Sequence, residues 1–158
     1  MTIFPQKCRQ SCRVLIVALL LVAPTPGLHT DVRAAAPVPA FRVIVNPENP
    51  TTNVDRKFVA DIFLKKATRW GQLDSVVRPV DLRPDSPARR AFDEEVLRRS
   101  VSAVRNYWQQ MVFTGRDVPP PELNSEEEMV AYVLRYPGAI GYVSGTIALQ
   151  GAKVLTIK

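Results

Sequence analysis

The 158-residue chain is 46% hydrophobic and 23% charged, with 14 prolines, 2 cysteines and 1 histidine. That length and balance suit one globular domain at most and exclude collagen-like or disordered composition. The net charge of +6 suggests a nucleic-acid partner only until the charges are located along the chain.

Lys7, Arg9 and Arg13 precede an unbroken apolar run from Val14 to Ala23, followed by Pro24, Pro26 and Gly27 and then by small residues at Ala34 to Ala36. A basic start, an apolar middle and a small-residue cleavage site are the three parts of a secretory signal peptide. The run of ten residues is half of the roughly 20 that span a bilayer, so a permanent membrane helix is the weaker reading. Pro37 forbids cutting after Ala36, which places cleavage after Ala34, with Gly27 as the alternative. The chain then divides into a signal peptide over 1–34, a flexible Ala/Pro-rich leader over 35–40 and a domain over 41–158.

Cleavage removes Lys7, Arg9, Arg13 and Arg33 against one acid, Asp31, and so halves the net charge of +6. It also removes His29, Cys8 and Cys12, which leaves no histidine and no cysteine. A disulfide framework, a thiol nucleophile, a cysteine zinc site and a Ser-His-Asp hydrolase are all excluded from the domain. Cys8 and Cys12 precede the apolar run and are not placed to become a lipidated terminus. The expectation is a soluble periplasmic or secreted protein, with no nucleic-acid partner and no stable membrane insertion once the signal is gone.

Phe41 to Val45 is a β-branched run stopped by Asn46-Pro47 and Asn49-Pro50, which fits a buried strand. Asp55 is placed to cap a helix from about Arg56 to Lys65, with Val54 and Val59 spaced as a hydrophobic staple and Val59, Ile62 and Phe63 on the inner face. Val76 to Leu82 reads as a second strand, in which Pro79 implies an edge or a local irregularity. Ser86-Pro87 opens a helix with Ala88, Phe92 and Val96 inward and Asp93, Glu94 and Glu95 outward. Ser100 starts a third helix, on which Val101, Val104, Trp108, Met111 and Val112 recur at steps of three and four. Gly115 ends it, and Pro119 to Pro121 reads as an extended connector. Ser125 and Glu128 form a capping box before Met129, Val130, Val133 and Leu134 on a fourth helix, and Ala139 to Val143 and Lys153 to Ile157 are two closing strands. This order predicts an α/β domain, a mixed sheet covered by helices, with Val59, Ile62, Phe63, Phe92, Val104, Trp108, Val133 and Ile140 in its core.

Catalytic chemistry finds little support. Gly71, Gly115, Gly138, Gly141, Gly145 and Gly151 match neither a phosphate loop nor a dinucleotide fingerprint. Asp93 to Glu95 and Glu126 to Glu128 are consecutive on helices, so their side chains fan out instead of converging on an ion. No catalytic residue, metal or cofactor is assigned. Trp70, Tyr107, Trp108, Tyr132, Tyr136 and Tyr142 read as core and rim packing, with Trp70 left open between buried and partly exposed. Chemistry concentrates instead between Asp81 and Arg90, where a strand ends, the chain turns, and a serine-capped helix begins among arginines. Unpaired N–H groups at a helix start, together with guanidinium groups, are what an oxyanion needs. The candidate anion-binding residues are Arg83, Ser86, Ala88, Arg89 and Arg90; the competing reading is a helix cap that binds nothing.

The run Ile62 to Trp70 (IFLKKATRW) resembles a characteristic stretch of periplasmic phosphate-binding proteins, the substrate-binding components of ABC-type phosphate importers. Val43 to Pro50, Val76 to Phe92 and Tyr136 to Ser144 agree with the same family in the same order. The resemblance implies one lobe of a type 2 periplasmic-binding-protein-like fold. It also implies a non-enzymatic role in or beside anion uptake, phosphate or a similar oxyanion as ligand, and an ABC permease or envelope protein as partner. The family usually has Ser-Gly-Thr where this chain has Ser86-Pro87-Ala88, which removes one N–H donor and one hydroxyl. The family's arginine aligns nearest to Leu82, with Arg83 one place away, and Ser86 alone matches. Binding is therefore expected to be weak, on the order of millimolar. The alternative is an interaction module that keeps the lobe's fold and has lost the ligand.

Overall fold

The computed structural model describes residues 38–71 and 75–158. The expected signal peptide and residues 35–37 of the leader lie outside the described residues, and 38–40 are exposed.

In chain order the elements are strands β1 (Arg42–Val45) and β2 (Asn53–Val54), helix α1 (Arg56–Phe63), strands β3 (Arg78–Pro79) and β4 (Asp81–Leu82), helix α2 (Pro87–Phe92), helix α3 (Val101–Phe113), strand β5 (Glu122–Leu123), helix α4 (Glu126–Arg135), and strands β6 (Ala139–Val143) and β7 (Lys153–Ile157). Five strands form a mixed sheet in the order β2-β7-β1-β6-β3, and β4 and β5 form a separate parallel pair. β1 is antiparallel to both of its neighbours, with Val43 opposite Tyr142 and Leu155, and Ile44 opposite Gly141 and Val154.

Alternation along these strands sends the two sets to opposite faces. On the first face, Tyr142 stacks on Phe92 at 4.0 Å between ring centroids and lies 5.7 Å from Phe63, so α1 and α2 cover it with an aromatic cluster that Phe41 completes. On the second face, α4 lies close over Gly141, where a side chain would meet Met129 Sδ. Asn46 joins this helix to the end of β1 by donating from Nδ2 to the Val133 and Leu134 carbonyls at 3.0 Å each, which satisfies acceptors that a helix end leaves open.

The eight residues expected in the core are all buried. Val54 and Val59 are both buried, as a staple requires, while Asp55 occupies the cap position without a side-chain hydrogen bond. Two expectations are corrected, and the open position of Trp70 is settled. Val76 to Leu82 is not one strand: Arg78–Pro79 pairs at the sheet edge, as a proline requires, and Asp81–Leu82 turns away to pair with β5. Pro119 to Pro121 therefore leads into a strand. Trp70 is buried and donates from Nε1 to the Gly138 carbonyl at 3.3 Å. Asp93 is inward, beside Phe92, where its carboxylate meets buried Arg89; the helix then widens into a π-helical turn over Asp93–Leu97 before Arg98, at φ 55°, ends it in the left-handed region. An extra residue per turn rotates the face that follows, and α-helical spacing does not anticipate it.

Candidate functional site

β4 and β5 run parallel and end side by side, held by Asp81 N–H to the Pro121 carbonyl at 2.9 Å and Arg83 N–H to the Leu123 carbonyl at 3.2 Å. Each strand then enters a serine-capped helix. After β4 a turn closes from Ser86 N–H to the Arg83 carbonyl, and Ser86 Oγ accepts from the Arg89 N–H at 3.4 Å. After β5, Ser125 Oγ accepts from the Glu128 N–H at 3.2 Å, while Glu128 Oε2 accepts from the Asn124 N–H at 3.0 Å. Between the two helix starts lies a crevice of about 370 Å³, lined by Leu82, Arg83, Asp85, Ser86, Ser125 and Glu126, with Pro87 and Asn124 at its margin. Open α/β folds bind ligands outside the carboxyl ends of parallel strands, which is the position this crevice occupies.

Of the predicted residues, Arg83 and Ser86 line the crevice. The Arg83 guanidinium is half exposed and lies 3.5 Å from the Asp85 carboxylate. Pro87 has no N–H and Ser86 Oγ accepts the Arg89 N–H, so the Ala88 N–H is the remaining donor of the first turn; the Ala88 methyl is buried. Arg90 is exposed but does not line the crevice.

Arg89 departs from its expected surface position. It points inward and is only 4% exposed. Its Nη1 lies 2.9 Å from Asp81 Oδ2, donates to the Leu82 carbonyl at 2.5 Å and reaches Glu122 Oε1 at 3.3 Å, while its Nε donates to Asp93 Oδ2 at 3.2 Å. Arg89 thus ties the end of β4 to the second turn of its helix. Two buried carboxylates share this guanidinium. Burial pushes the Asp81 carboxyl up to about 7, with the Arg89 charge and a hydrogen bond donated by the Tyr142 hydroxyl offsetting only part of that cost. Burial raises Asp93 as well, despite Arg89, and Asp93 Oδ1 has no hydrogen-bond partner. Tyr142, buried beside Asp81, is held well above the ordinary tyrosine range.

Sequence reasoning missed Asn124, Ser125, Glu126 and Ser144 as part of this place. Ser144, just beyond β6, donates from its N–H and its hydroxyl to Glu126 Oε2 at 2.8 and 2.7 Å. The capping box at Ser125 and the segment ending at Ser144 were both visible in the sequence, but only the β4–β5 pairing brings them to Ser86. The crevice therefore holds the carboxylates of Asp85 and Glu126 beside the cation of Arg83.

No protein-family model matches the chain, and no curated protein matches it in sequence. Solved structures do share its fold. An ABC-type phosphate transport receptor from Vibrio cholerae superposes with a TM-score of 0.57 at 22% identity, over 75% of this chain and 46% of its own. A Clostridium perfringens protein described as a phosphate ABC transporter substrate-binding protein, solved with phosphate bound, gives 0.59 at 20% identity over 75% and 44%. PstS from Borrelia burgdorferi gives 0.57 at 16% identity over 75% and 47%. The chain has the fold of these substrate-binding proteins, as the resemblance implied, and spans less than half the length of each. Among the described residues, no helix is long and apolar enough to cross a membrane, and no group of three or more His, Cys, Asp or Glu side chains is placed to hold a metal ion.

Proposed function

We propose that the chain is an exported, non-enzymatic solute-binding-like domain that takes phosphate or a similar oxyanion weakly in the crevice between the starts of α2 and α4, beside an ABC permease or another envelope protein. The observation that carries this reading is the parallel β4–β5 pair, which delivers two serine-capped helix starts to one crevice. Proteins of the same fold are named for phosphate transport, and one was solved with phosphate bound. In this reading the Ala88 N–H and Ser86 hydroxyl donate to the anion, Arg83 supplies charge after leaving Asp85, and Arg89 holds the end of β4. Arg90 adds only a diffuse field from outside the crevice.

Calorimetric titration of phosphate into the protein at two salt concentrations tests the reading. Binding should be on the order of millimolar and weaken with salt. Ser86→Ala should weaken it further, and Asp85→Asn, which frees Arg83 and removes a repelling charge, should tighten it by about tenfold. No heat from either the wild type or Asp85→Asn would refute the anion site. The second reading, an interaction module without a ligand, is favoured by Glu126, whose carboxylate already occupies the Ser144 donors.

A further inference from the structure

The apolar stripe of α3 is wider than the core beneath it. Val104 and Trp108 are buried, whereas Val112 is 51% and Phe113 91% exposed. Val101, Arg105, Trp108 and Val112 share a second face at helical spacing. This face forms one wall of a groove of about 530 Å³, closed on the other side by Pro84, Pro119 and Glu122. Phe113 lines its open end, buried Arg89 also lines it, and exposed Val118 lies just past the connecting turn. An exposed apolar cluster of this kind, rimmed by polar groups, marks an interaction surface.

Charge on the rim identifies the occupant. Arg105, on the α3 wall, has no ion-pair or hydrogen-bond partner among the described residues. Glu122, on the facing wall, engages Arg89 through Oε1 only, and its side chain is 46% exposed. One face thus carries a groove, a protruding ring, an unpaired cation and a half-free carboxylate. A partner of single charge would satisfy one wall and repel the other. A second copy turned through a two-fold axis satisfies both, since in such an interface each contact occurs twice with the roles exchanged.

We propose that this face is a self-association surface, on which two copies dock with Phe113 of each in the groove of the other and Arg105 of each opposite Glu122 of the other. This pairing does not depend on phosphate binding, and its test involves no anion.

Sedimentation equilibrium of the full chain, as its host processes it, should give a mass that rises with concentration towards twice the chain mass. Phe113→Ser should weaken association by about tenfold or more, as removal of a central aromatic anchor does. Arg105→Glu and Glu122→Arg should each abolish association alone, because each sets like charges against one another. An equimolar mixture of the two should associate again, since both cross-contacts then join opposite charges. Circular dichroism monitors folding; should Glu122→Arg fail to fold beside Arg89, Phe113→Ser and Arg105→Glu decide the matter. A protein that is monomeric at every concentration overturns the proposal, as does a dimer indifferent to both of those changes. So does a monomer whose groove takes an apolar small molecule or an unrelated peptide instead.

Discussion

Replacing Asp81 by Asn should reduce the pH dependence of stability between about pH 4 and pH 7. In the fold Asp81 keeps its proton up to about 7, against 3.8 for an ordinary aspartate, because burial penalises its charged form and Arg89 offsets only part of that penalty. Below the lower value both folded and unfolded chains are protonated, and the contribution to stability is complete. As the pH rises through the interval the unfolded chain releases its proton while the fold retains it, and the advantage of the native state is lost by about 7. At roughly 1.4 kcal/mol for each pH unit separating the two values, the loss is at most about 4 kcal/mol, a large part of the roughly 5 to 15 kcal/mol that holds a domain together. Asp93 is raised in the same direction, so the slope of the Asn variant should shrink without vanishing. Asp117 and Glu127 are held below the ordinary carboxylate range, the first by the Val118 N–H and the second by its own backbone N–H; they act with the opposite sign, and only at more acid pH. Urea denaturation followed by the fluorescence of Trp70 and Trp108 at several pH values from about 5 to 8 gives the midpoints directly. The wild-type midpoint should fall as the pH rises, and that of Asp81→Asn should fall less steeply. A wild-type midpoint that rises over this range, or an Asn variant that keeps the full wild-type slope, refutes the reasoning.

Trp108→Ala should cost about 3 kcal/mol, since Trp108 is 6% exposed and packs edge-on against Tyr107; a loss below about 1 kcal/mol in chemical denaturation would show that its ring serves the groove and not the core. Gly141→Ala sets a methyl group 2.2 Å from Met129 Sδ and should cost about 1 to 3 kcal/mol. Adding Met129→Ala should make the double variant less destabilised than the sum of the two single changes, and strict additivity would contradict the contact.

Elements with strong local patterns were legible in the sequence. β1 and β7 are rich in β-branched residues, β6 is an apolar run after Tyr136-Pro137-Gly138, α1 and α4 announce themselves by a staple and a capping box, and Pro79 pointed to an edge. What was not legible rests on pairing or on helical phase. β4 and β5 have two residues each, too few for an alternation to register, yet their pairing builds the crevice. Arg89 and Asp93 stand four apart on a helix, a spacing that signals a pair but not on which side of the helix it lies; only Asp81, reached across the turn, draws the pair inward. Surface charge was the expectation for Arg89 and Asp93, and burial in a network shared with Asp81 reversed it.

The position of β1 in the sheet bears on how the chain is made. Val43 can pair only when Tyr142 and Leu155 are available, about a hundred residues later. At the usual pace of ribosomal synthesis, about 5 to 20 residues per second, the central strand waits for several seconds without either neighbour. Its β-branched backbone is an open edge during that time, a ready template for mispairing unless a chaperone covers it. No amino-terminal fragment lacking β6 and β7 can close the sheet, so sheet formation waits on the last strands of the chain. In the proposed export reading the chain has to remain threadable until it has crossed, and a topology that places its first strand between its last two fits that need.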